Sequence, residues 1–68
     1  MKGIVMKFNR KRGWGFILGE DNKTYFVSYY NIDMDGFRAL RKDQEVTFEV
    51  GIDAEGREQA VDVIVKAA

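Results

Sequence analysis

The chain has no cysteine, no histidine and no proline. Without cysteine there is no disulfide framework and no thiolate metal site, and without histidine the commonest catalytic base and imidazole ligand is missing. No stretch approaches the roughly 20 apolar residues that a membrane helix needs, and the N-terminus passes from Lys2 straight into strand-like sequence with no signal-peptide apolar region, so a soluble cytoplasmic protein is the expectation. No low-complexity linker or internal repeat interrupts the 68 residues, which predicts one domain over residues 1–68. A chain this short buries only about 60% of its unfolded surface, so its core must be small. Net charge is zero but unevenly spread. Lys2, Lys7, Arg10, Lys11 and Arg12 face no acid within residues 1–19, which leaves the remainder acidic. A positive patch on a neutral body suits modest, salt-sensitive attraction to a polyanion.

What is present reads as strands. Apolar alternation and β-branched residues mark segments at about 2–9, 14–19, 24–29, 45–52 and 58–66, and none shows sustained helical periodicity. Asn9 to Gly13, Gly19 to Lys23 and Asp53 to Gly56 carry hairpin chemistry, with Gly13 and Gly56 suited to positive φ. Tyr30 to Gln44 is a longer connection, with a short helical turn expected near Asp33 or around Arg38 to Arg41. Three strands, a long connection and a terminal hairpin match a small five-stranded antiparallel Greek-key barrel of the OB type, although the pattern alone also permits an SH3-like barrel. The core candidates are Val5, Ile17, Val27, Ile32, Leu40, Val46, Val61 and Val63, with Phe48 assigned to packing. That leaves Trp14, Phe16 and Phe26 on the outer face. Burying all nine aromatics as well would overfill the barrel, since each ring covers roughly 150–250 Å².

Residues Lys7 to Ile17 read Lys-Phe-Asn-Arg-Lys-Arg-Gly-Trp-Gly-Phe-Ile. Trp14 and Phe16 flank Gly15 and so leave a strand from the same face, beside a cluster of cations. Rings offer π-faces to bases and cations meet phosphates, which is what single-stranded nucleic acid requires. Lys7 and Arg12 flank the rings; Arg10 and Lys11, at the loop tip, add field only. A basic run is more often just a solvated loop, and aromatics in small β-domains are often core, so the pattern acquires its weight from the two occurring together. The acidic pairs Glu20–Asp21 and Asp33–Asp35 read as solvent-facing turn residues.

Gly3 to Ile17 resembles the opening of the bacterial cold-shock proteins, Gly-x-Val-Lys-Trp-Phe-Asn-x-x-Lys-Gly-Phe-Gly-Phe-Ile. Tyr25-Phe-Val-Ser-Tyr-Tyr-Asn-Ile32 is similar to their second motif, Val-Phe-Val-His-Phe-Ser-x-Ile. The resemblance covers nearly the whole chain and implies a cold-shock OB-fold that binds single-stranded RNA or DNA with little sequence preference, without catalysis, cofactor, metal or small-molecule substrate. It also implies an RNA-chaperone role. The residues it marks are Lys7, Phe8, Arg12, Trp14, Phe16, Phe26, Ser28, Tyr29 and Phe37. The chain departs from the family where Lys7 stands for a stacking Trp, Ser28 for His and Trp14 for Phe or Tyr. Glu55 to Gln59 replaces a basic-Gly-Pro-Gln segment, where Arg57 offers a substitute contact. Two lost stacking partners, at roughly 1–3 kcal/mol each, point to weaker and more electrostatic binding. The other reading is a divergent barrel serving as a protein-interaction or scaffold module. A monomer or a weak dimer is expected.

Overall fold

The computed structural model describes residues 1–66. It holds β1 (Lys2–Asn9), β2 (Trp14–Gly19), β3 (Thr24–Ser28), a single 3₁₀ turn (Tyr29–Asn31), β4 (Glu45–Ile52) and β5 (Glu58–Val65). Short polar side chains close the hairpins by satisfying backbone N–H groups within the turn. Asn9 Oδ1 accepts from the N–H groups of Lys11 and Arg12 at 3.1 and 3.0 Å, and Gly13, at φ 75°, donates to the Asn9 carbonyl. Asp53 Oδ1 repeats the device in the last hairpin, accepting from Glu55 and Arg57 at 2.9 Å each, with Gly56 at φ 81°.

The strands close into a barrel in the order β1-β2-β3-β5-β4. Four seams are antiparallel; the β3–β5 seam is parallel and holds only the pairs Phe26–Gln59 and Val27–Ala60, a departure from all-antiparallel pairing that the long connection after β3 imposes. The core contains Val5, Ile17, Tyr25, Val27, Ile32, Leu40, Val46, Phe48, Ala60 and Val63. Each aliphatic side chain so buried contributes about 1.5–3 kcal/mol.

Two bulges decide which residues face in. In β1 the register slips between Val5 and Lys7, so Val5 opposes Ile17 inside the barrel while Lys7 opposes Phe16 on the outside. In β5, Asp62 at φ 51° is an extra residue opposite Phe48 and shifts the alternation by one. Ala60 and Val63 are therefore buried and Val61, expected in the core, lies half-exposed. The helical turn expected near Asp33 or Arg38 to Arg41 falls instead at Tyr29–Asn31. Ile32 fixes it there, because its side chain is buried, it bridges to Val63, and its N–H bonds back to the Tyr29 carbonyl.

Candidate nucleic-acid interface

Trp14 and Phe16 on β2 and Phe26 on β3 meet on the outer face because Phe16 and Phe26 are cross-strand partners and Gly15, between the two β2 rings, points inward. Their centroids form a near-equilateral triangle: 5.8 Å for Trp14–Phe16, 6.0 Å for Phe16–Phe26 and 6.1 Å for Trp14–Phe26. Trp14 and Phe26 lie within 24° of parallel, whereas Phe16 stands edge-on to both. Phe26 is 37% exposed, and Trp14 and Phe16 are half-buried. Two near-parallel rings with a third edge-on to both are thus held together by two paired strands.

Cations border this surface. The β1 bulge brings the Lys7 ammonium to 5.4 Å from the Phe16 centroid, within cation–π range. Arg10 stacks over Phe37 at 5.5 Å, so it does more than contribute field from a loop tip. Arg10, Lys11 and Arg12 line a depression of about 390 Å³ with Tyr29, Phe37 and Arg38, next to Gly13 and Gly36. Arg12 accordingly lines this depression with Arg10 and Lys11. Arg38 is a cation the sequence reading passed over; only the folding of the long connection onto the β1–β2 loop brings it there.

The remaining candidates divide. Tyr29 and Phe37 are open to solvent, at 50% and 66%. Tyr29 seats on Gly13, donating its backbone N–H to the Gly13 carbonyl, where any Cβ would lie 2.7 Å from the ring. Phe8 is half-buried and packs on the core, opposite Gly15. Ser28 pairs with Trp14 and is 7% exposed, because β3 ends there and the chain turns away, so strand alternation no longer sets its direction. Arg57 is held by Asp53 and Glu55 at 3.2 and 2.9 Å. In the β2–β3 turn, Asp21 accepts a hydrogen bond from the Tyr25 hydroxyl, an ordinary structural role for one of the acidic pairs.

The model of the family described as the "cold-shock" DNA-binding domain matches residues 1–66. Cold shock protein 1 of Lactiplantibacillus plantarum is 47% identical over 47 residues, covering 69% of this chain and 71% of its own. A cold shock-like protein of Aquifex aeolicus is 43% identical, covering 81% and 80%. The cold shock-like protein CspC of Bacillus cereus is 38% identical over 94% of this chain and 97% of its own.

Proposed function

The chain belongs to the cold-shock domain family, and from that premise we propose that it binds single-stranded RNA or DNA with low sequence specificity by stacking bases on Trp14, Phe16 and Phe26 while Lys7 and the Arg10–Arg12 loop meet phosphates. The observation that carries this reading is the compact three-ring cluster, with every centroid separation at or below 6.1 Å, on the outer face of the sheet beside a lysine. Tyr29 and Phe37 extend the track past the first loop. Phe8 and Ser28 support it from beneath. No step is chemical. A protein that binds unpaired strands and not duplex stabilises the open form of an RNA hairpin by mass action, so weak and exchanging contacts suffice for a chaperone that uses no ATP.

Titration of Trp14 fluorescence with oligouridylate or oligothymidylate tests this. Quenching is expected at low salt, and Phe16→Ala and Phe26→Ala should each weaken binding about 5- to 150-fold, the range set by about 1–3 kcal/mol per stacked base. No quenching at tens of micromolar ligand would exclude it. Loss of stability with oligonucleotide affinity intact would favour a scaffold or protein-interaction role instead.

A further inference from the structure

The depression beyond the rings holds more positive charge than a strand passing over it can use. Arg10, Lys11 and Arg12 from the β1–β2 loop and Arg38 from the connection after β3 line its space of about 390 Å³, together with the rings of Tyr29 and Phe37. All four cations are exposed, and among the described residues ion pairs form only at Arg57 and Lys66, so none of the four is neutralised. Arg38 also borders Asp33 and Asp62 in a neighbouring hollow but pairs with neither. The walls are tied together. Asn9 Oδ1 holds the Lys11 and Arg12 N–H groups, Tyr29 donates its N–H to the Gly13 carbonyl at 2.8 Å, and Arg10 lies 5.5 Å over the Phe37 ring, which joins the loop to the connection. Stacking engages the face of the Arg10 guanidinium and leaves the N–H groups at its edge able to donate. In the family's opening motif only the position of Arg12 is a fixed cation in this loop; Arg10 and Lys11 stand where the pattern leaves the residue open.

We propose that this depression takes the terminal phosphate of a single strand, the doubly charged monoester at a chain end, in preference to the bridging phosphates along it. The proposal deepens the stacking reading above and rests on it for the remainder of the strand. A bridging phosphate carries a single charge, and chain leaves it on both sides. A terminal phosphate carries nearly two charges near neutral pH, presents three strong acceptor oxygens and is tethered on one side only. It can therefore enter a hollow and accept from side chains that converge from two segments, whereas a bridging group meets cations along one side of a track. Arginine suits that role, because its planar fork donates two parallel N–H bonds to phosphate oxygens. Three arginines and a lysine around one hollow repel one another, and a dianion offsets more of that repulsion than a monoanion does. Lys7 is the contrasting case, a lone cation beside Phe16 and placed for a bridging phosphate.

The test compares hexauridylate with hydroxyl ends against the same hexamer phosphorylated at the 5′ or the 3′ end, by Trp14 fluorescence titration of the full chain at low salt and about pH 7.5. At least one phosphorylated form should bind about tenfold tighter than the hydroxyl-ended strand, the gain expected from one added charge-assisted hydrogen bond. Arg38→Gln and Arg10→Gln should each cut that ratio, and the double variant should bring it to within about twofold of unity. Lys7→Gln removes the same charge outside the depression and should weaken all three strands while leaving the ratio in place. These three residues are exposed, so folding is not at stake. At about pH 5 the monoester holds close to one charge, its second pKa being about 6, and the ratio should fall toward about twofold. The chain has no histidine, so that fall belongs to the ligand. Uridine 5′-monophosphate carries the same group without a strand and should compete poorly; displacement of the phosphorylated hexamer at equal concentration would assign the hollow to free nucleotides and overturn the strand-end reading. A ratio near unity for both ends, or an equal loss of ratio in Lys7→Gln and Arg38→Gln, overturns the inference while leaving stacking intact. Failure of every hexamer to bind removes the stacking reading itself.

Discussion

Tyr25 carries a polar tip out of a largely apolar interior: the residue is 3% exposed and its hydroxyl donates to Asp21 Oδ2 at 2.5 Å. This bond pushes the Tyr25 pKa up to about 12, with burial adding to the rise, and holds the Asp21 carboxyl below its ordinary 3.8. A depressed acid stabilises the fold above its unfolded pKa and loses that contribution as pH falls through the lower folded value. A raised phenol stabilises the fold below 10.0 and loses that contribution as pH climbs through about 12. Tyr25→Phe should therefore melt below the wild type across the neutral range, and the gap should narrow at both extremes. Thermal melts at about pH 7 and about pH 2 check this, and a gap as wide in acid as at neutrality would refute it. Tyr25 could be read as inward from its alternation with Phe26, but its partner could not. Glu20–Asp21 looks in sequence like any polar turn, and only the hairpin's curl selects Asp21.

The β1–β2 hairpin sets the aim of the candidate interface, and Gly15 is its tightest point. A Cβ there would fall on the Lys7 carbonyl oxygen and lie 2.7 Å from Phe8 Cα, both backbone atoms that cannot rotate aside. Gly15→Ala should force the strands apart and destabilise the domain by about 1–3 kcal/mol or more, measured by urea unfolding. An unchanged midpoint would show that the hairpin yields more easily than this geometry allows. At this scale most of the architecture is legible in the sequence, because turns built on Asn9, Asp53, Gly13 and Gly56 punctuate runs of period two. The bulges are not legible. Met6 and Asp62 carry no signal that marks them as extra residues, yet each reverses the alternation downstream, which brings Lys7 out beside Phe16 and exchanges Val61 for Ala60 in the core. The 3₁₀ turn escapes for a similar reason. Tyr29-Tyr30-Asn31 has strand-like composition, and the docking of Ile32 against Val63 overrides it.

Across the whole molecule, charge separates from net charge. Acids and bases cancel overall, but Lys7, Arg10, Lys11 and Arg12 all belong to the first hairpin, next to the rings. If about three phosphates are neutralised on a single strand, the logarithmic salt slope is near −2, and affinity should fall roughly twentyfold between about 50 and about 200 mM salt. Fluorescence titrations at those two concentrations measure the slope. A flat response would mean that the cations take no part.

A cylinder of hydrogen-bonded strands parts first where it is stitched least. That place is the β3–β5 junction, with two residue pairs, and it lies directly beneath Phe26 and Gln59. An excursion that unzips it leaves Phe26 joined to Trp14 and Phe16 through the five pairs of the β2–β3 seam. Loosening of the shell at that joint and disruption of the aromatic face are therefore separate events, because the rings ride on the β2–β3 ladder and not on the seam that parts.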